Sequence, residues 1–345
     1  MEKEYSGSQM KTWQKVLFIL ILVIFVTMSV TISLISISRA PYKFREETAI
    51  GGDETLNGWV FERFNGNAGT KTLAIDYVRD KNGNNPDETK PIVAVGTYCV
   101  NADEYVQELV IGSSVRHIEE TSFYNLKKLQ KVTVDPANPR YRDIDGVLFT
   151  KDGKNLLLYP ARYGTAEGAD PAVYTVPDGV ERIATFAFLK NEVLRDLTLP
   201  DSLREIGDMA FFGCSRLGAY EYDEATDSLL GTGFTLPDGL ELIGSDAFSK
   251  CGNIAPVLYF PLSVTQLRHH AFFNSTGLKN IFFAAADNSA LELGESWRPK
   301  NIKAGPMWKA PEPQFGKTRE ESETLIESYR AEQLNALREE AQKNG

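Results

Sequence analysis

Residues that commonly carry chemistry are scarce in this chain. Of its 345 residues, three are cysteine and three are histidine, so there is neither a disulfide framework nor a paired Cys/His spacing for zinc. No phosphate-cradling glycine loop, nucleophile elbow or triad spacing occurs. Asp80-x-Asn82-x-Asn84 begins like a calcium loop. Asn85 stands where that loop needs glycine and Pro91 where it needs an acid, so the segment reads as a polar turn. Positive charge is also in deficit, with 37 Lys and Arg against 47 Asp and Glu and a net charge of -10. That balance argues against nucleic acid as a partner, because phosphate binding needs a basic face.

One long apolar run is present. From Val16 to Ile37, 22 residues carry no charge. At 1.5 Å per residue this is about 33 Å of helix, the thickness of a hydrocarbon core. The run reads as a single transmembrane helix over residues 16–38, behind a tail of residues 1–15. A cleaved signal peptide competes with that reading, since Ser38-Arg39-Ala40 has a small-x-small pattern; the run is long for such a peptide, and Pro41 would directly follow the cut. Lysines and arginines balance across the run, so the positive-inside rule does not orient it.

Further along, one short pattern recurs four times. It reads Val176-Pro177-x-x-Val180-x-x-Ile183 followed by Ala187-Phe188, then Leu199-Pro200-x-x-Leu203-x-x-Ile206-Gly207 with Ala210-Phe211. The third copy is Leu236-Pro237-x-x-Leu240-x-x-Ile243-Gly244 with Ala247-Phe248, and the fourth is Phe260-Pro261-x-x-Val264-x-x-Leu267 with Ala271-Phe272. Weaker copies precede them at Val95-Gly96 with Cys99-Val100, and at Ile118 with Ser122-Phe123. A period in the twenties marks a solenoid, in which each repeat buries its apolar face against its neighbours.

Between the Ala-Phe pairs lies an L-x-x-L-x-L spacing, as in Leu129-x-x-Val132-x-Val134, Leu194-x-x-Leu197-x-Leu199 and Leu278-x-x-Ile281-x-Phe283. Its last two apolar residues alternate with polar ones as a strand requires. Six such strands, stacked side by side, would form a parallel sheet roughly 25 to 30 Å long. The combined pattern Leu197-x-Leu199-Pro200-x-x-Leu203-x-x-Ile206-Gly207-x-x-Ala210-Phe211-x-x-Cys214-x-x-Leu217 resembles the BspA-type leucine-rich repeat, a 23-residue class found on bacterial surfaces, and does so over about residues 92–283. The resemblance implies an extracellular solenoid that binds proteins or host and matrix components, with no catalytic residues to carry over. It also orients the span, placing the C-terminal body outside the cell.

The expected fold is therefore a repeat solenoid with a parallel β-sheet, preceded by one transmembrane helix and followed by a C-terminal helix. Residues 39–70 read as a juxtamembrane linker and the start of a cap, and 71–283 as the solenoid with its N-terminal cap. Two inserts interrupt the period. Residues 135–171 hold a hairpin around Lys151-Asp152-Gly153, and 223–233 should bulge from one edge. Residues 284–316 read as a C-terminal cap and a Pro-rich linker. Within 317–345, Thr318-x-x-Glu321 has capping-box spacing before a weakly amphipathic helix over 319–343.

The cysteines fit the repeat. Cys214 and Cys251 follow their alanine by four residues and Cys99 replaces the alanine, so all three read as small buried hydrophobes. A Cys214–Cys251 bridge is the alternative in an oxidising compartment. His117, His269 and His270 fall at variable, surface positions of the repeat. With no cofactor or metal expected, recognition falls to the outward side of the strands. The candidate face comprises Gln107, Glu108, Gln130, Lys131, Arg195, Asp196, Glu221, Lys279, Asn280 and Phe282. The expected function is non-catalytic binding of a protein or glycan ligand by a membrane-anchored surface protein. A structural spacer or assembly subunit of the cell envelope is the alternative.

Overall fold

The computed structural model describes residues 42–65, 70–80, 83, 85–101, 105–124, 126–164, 170–231, 233–299 and 310–344. The expected span over 16–38 lies outside them; among the described residues no helix is long and apolar enough to cross a membrane.

Each period makes one turn of chain, and three of its positions have distinct tasks. The Ile-Gly position forms a two-residue strand. Arg182–Ile183, Glu205–Ile206, Leu242–Ile243, Gln266–Leu267 and Glu292–Leu293 pair in parallel, one below the next. With three strands of the first insert they form a sheet of eight, here called the long sheet. Glycine recurs in this pattern because the coils meet closely there. A Cβ on Gly244 would stand 2.6 Å from the backbone of Gly207 and Asp208.

At the Ala-Phe position the alanine leaves room and the phenylalanine fills the axis. Tyr159, Phe188, Phe211, Phe248 and Phe272 stack ring on ring at centroid separations of 4.6, 4.7, 5.0 and 5.1 Å. The residue before each alanine turns the chain with a left-handed backbone. Phe186, Met209, Asp246 and His270 have φ of 64, 52, 53 and 57°.

The L-x-x-L-x-L strands line the opposite side, but not as the single six-stranded sheet expected. They form three pieces. The first is Thr72–Ile75, Glu108–Ile111 and Lys131–Val134; the second is Val173–Thr175 with Asp196–Thr198; the third is Val257–Phe260, Asn280–Phe283 and Pro313–Gln314. The inserts cause the breaks. Residues 221–223 pair antiparallel with 228–230 and do not join the parallel stack, so the second insert is a hairpin that leaves the parallel register. The first insert forms the expected antiparallel hairpin, Val147–Thr150 with Asn155–Leu158, and serves as a partition. Val147 and Phe149 enter the C-terminal apolar core while Leu148 enters the N-terminal one, as strand alternation dictates.

The stack is longer at both ends than the repeat pattern indicates. Gly58–Phe64 pairs in parallel with residues 86–95, and Thr72–Ile75 pairs with Glu108–Ile111, so the coils begin before Ile92. At the other end Leu293-Gly294 continues the long sheet, and Trp297 stands in the alanine position, its carbonyl accepting from Phe272 N at 2.9 Å. The segment expected as a stiff linker is also structural. Pro313–Gln314 adds a strand beside Ile281–Phe282, and Phe315 stacks on Phe283 at 5.2 Å. The final helix, α1 (Arg319–Asn344), opens with the expected capping box. Thr318 N donates to Glu321 at 2.7 Å and Glu321 N to the Thr318 hydroxyl at 3.1 Å.

Truncating a ring within the aromatic stack leaves a cavity with neighbours on both sides. Phe211→Ala is expected to lower unfolding free energy by about 3 to 5 kcal/mol, read as a lower denaturant midpoint with the repeat fold retained.

Candidate functional site

The ten candidate residues divide into two surfaces and a buried link. The first surface lies on the N-terminal piece of the strand side. Gln107, Glu108, Gln130 and Lys131 stand together there and line a groove of about 250 Å³, closed by Lys71, Thr72, Asp145 and Tyr163. Lys131 Nζ lies 3.2 Å from Glu108, which also accepts from the Thr133 hydroxyl at 3.0 Å. The groove thus offers carboxylate, ammonium and amide groups beside one aromatic ring. Tyr163 and Asp145 come from the first insert, so the spacing of the regular repeats could not announce them.

Arg195 and Asp196 form the link and are a correction: both are buried, at 6% and 9% exposure, and are unavailable to a partner. Alternation alone would turn Asp196 outward, but ion pairing across coils draws the group in. Arg195 bonds Asp196 at 3.0 Å and Glu221 at 3.1 Å, and Arg216 also reaches Glu221. Removing the guanidinium would take the buried Asp196 carboxylate's cation away, while Arg216 would still hold Glu221. Arg195→Met is expected to cost about 3 to 5 kcal/mol, whereas Lys131→Met, at the exposed groove, should move the denaturant midpoint little.

The second surface holds Glu221, Lys279, Asn280 and Phe282, and α1 lies against it. Phe282, outward by register, is 5% exposed because Lys317 lies 5.6 Å over its ring and a further strand runs beside it. This is the second correction to the expected face. Asn280 donates to the Tyr329 hydroxyl at 3.0 Å, and Lys279 sits 4.7 Å over the Tyr329 ring. A cleft of about 340 Å³ remains between solenoid and helix, lined by Arg216, Tyr220, Glu221, Asn253 and Lys279 with Tyr329 and Gln333 of α1. Burial raises the pKa of the Tyr220 hydroxyl. At the hairpin tip, Arg338 and the Tyr222 hydroxyl bond Asp227 and hold its carboxyl below the usual range. The helix contacts were missed because a helix announces its stripe, but not the distant strand that receives it.

The thiols and imidazoles do structural work. Cys214 Sγ donates to Phe188 O at 3.1 Å and Cys251 Sγ to Phe211 O at 3.0 Å, and Ser275 makes the equivalent bond to Phe248 O one coil later. All three cysteines are free and buried. Burial pushes Cys214 up to about 12 and raises Cys99 and Cys251 as well. A thiol reagent at pH 8 should therefore label none of them in the native protein and all three in denaturant. His117 lies 3.0 Å from Glu119, and His269 Nδ1 accepts from Glu295 N at 3.1 Å. Among the described residues no group of three or more His, Cys, Asp or Glu could hold a metal ion.

Stacked coils with short parallel strands on both sides, a repeated Ala-Phe core and a polar strand face define a leucine-rich repeat solenoid. The sequence matches the BspA-type leucine-rich repeat region in six copies, over residues 89–151, 172–231 and 226–292. More than half of the chain is covered, and the protein belongs to that family.

Solved structures of the same kind are similar at low identity. The pneumococcal vaccine antigen PcpA is 22% identical, with 63% of this chain and 51% of PcpA covered and a TM-score of 0.47. A leucine-rich cell surface protein of Faecalibacterium prausnitzii is 22% identical, with 58% and 54% covered and a TM-score of 0.43. A Treponema pallidum leucine-rich repeat protein, TpLRR, is 19% identical, with 73% and 83% covered and a TM-score of 0.34. The chain spans about half the length of the first two. No curated protein matches, and no enzyme family is indicated.

Proposed function

We propose that this protein is a membrane-anchored, cell-surface recognition protein that binds a protein or glycan ligand without catalysis. The groove of Gln107, Glu108, Gln130 and Lys131 carries the reading. It is a concave polar site with one aromatic wall, assembled by three parallel strands on a rigid stack. Amides and carboxylates at fixed spacing suit the hydroxyls of a sugar or the backbone of a peptide, and Tyr163 supplies an apolar plane. The apolar run over 16–38 is long enough to anchor the chain, and membership of the BspA-type family supports an exported body. The rest of the solenoid serves as a stiff support that holds the groove.

Two measurements test this. Protease added to intact cells should cut the solenoid; a body left untouched would refute the extracellular placement. On arrays of glycans and matrix proteins, the full chain should show saturable binding that Gln130→Ala with Lys131→Glu weakens at least about tenfold. Equal binding by the variant, with an unchanged melting temperature, would move the site elsewhere.

A further inference from the structure

The helix α1 rests along the C-terminal strand face, yet among its described side chains none joins either of the two large apolar cores. Those cores close without it, the last stacked ring being Phe315, before the helix begins. Of the helix residues whose side chains are described, only Ser322 is buried, and its hydroxyl has no hydrogen-bond partner. Leu325, Ile326, Leu334 and Leu337 are half-buried, which gives the stripe a weak apolar grip.

What holds the helix is polar and sits near its ends. Arg319 bonds the Asp238 carboxylate and Leu236 O, and its guanidinium lies 4.9 Å over the Tyr259 ring. Arg338 bonds Asp227 at 2.6 Å, at the tip of the second hairpin. Nineteen residues separate the two arginines, about 28 Å along the helix, so two acidic anchors on the solenoid set the length of the docked segment. In the middle, Tyr329 engages Lys279 and Asn280. Exposed ion pairs of this kind are individually weak and are screened by salt. The helix therefore combines good coverage with a weak hold.

We propose that α1 is an intramolecular strap over the second recognition surface, released in exchange for a partner protein that presents an amphipathic helix with two basic residues about 28 Å apart. The partner's chemistry follows from what lies beneath. Asp227, and Asp238 with the Tyr259 ring, would take its cations, and Lys279 with Asn280 a tyrosine between them, as they now take those of α1. This deepens the binding reading above and rests on it, for it assigns the C-terminal half of the same strand side to a regulated contact. Competition between an internal and an external helix for one surface is a population shift set by their relative affinities.

Hydrogen exchange on the full chain tests the strap by itself. In Arg319→Glu with Arg338→Glu, and in the unaltered protein at 0.5 M salt, amides of 319–344 should exchange at least about tenfold faster, while repeat amides and the melting temperature stay unchanged. If helix amides exchange only at the rate of the repeats, the helix is an integral part of the fold and the strap is refuted. A labelled peptide of residues 317–344 is the probe for the uncovered surface. It should bind the double variant saturably and the unaltered protein at least about tenfold more weakly. Adding Asp227→Arg and Asp238→Arg to the variant should abolish that binding. Equal binding to both proteins, or to neither, would overturn the assignment of the surface. Neither arm uses the N-terminal groove, so failure there is read separately by the Lys131 variant on the arrays.

Discussion

The phenylalanine after the repeated alanine stacks on its counterpart one coil away, at 4.7 to 5.1 Å. That is close to the spacing of hydrogen-bonded strands. The match lets a ring column and a strand ladder share one axis without strain, so every coil is held at two points of its circumference. Phe211 and Phe248 make the constraint visible. They are 37 positions apart rather than 23, yet they stack at 5.0 Å with planes 3° apart. The extra residues are expelled as a hairpin because the stack tolerates no other pitch.

The same constraint explains where chemistry appears and where it does not. Side chains at the repeated positions are committed to neighbours above and below: Cys214, Cys251 and Ser275 to the carbonyl of the preceding phenylalanine, Cys99 to the Ser122 carbonyl of the next coil, glycines to close backbone contact. Recognition is left to residues between them and to whatever the inserts bring. The N-terminal groove obtains Tyr163 and Asp145 in this way, and the C-terminal surface obtains the Asp227 anchor. Inserts in this molecule therefore do two things at once, breaking the strand face into sections and giving each section its own walls.

Much of the site was legible where local alternation is decisive. Gln107, Glu108, Gln130 and Lys131 face outward as the L-x-x-L-x-L spacing requires, and the structure gathers them around one groove. Arg195, Asp196 and Phe282 occupy the same outward positions of that spacing and are nonetheless buried. Their fate depends on Glu221, Lys317 and an added strand, partners from 25 to 35 residues away that no local pattern specifies. Trp297 and Phe315 show the converse. They complete the stack although their segments lack the repeat pattern, because a core at the end of a solenoid accepts any ring of suitable size.

The sequence by itself determined the coil, its period, the hairpin of the first insert, the capped helix and the burial of the cysteines, since each follows from side chains within one turn of the chain. Tertiary structure alone decided the division of the strand face, the enclosure of Arg195 and the docking of α1. Those outcomes rest on contacts between segments that are distant in sequence, such as Arg338 with Asp227 and Arg319 with Asp238, whose energies depend on separations that only the assembled stack defines.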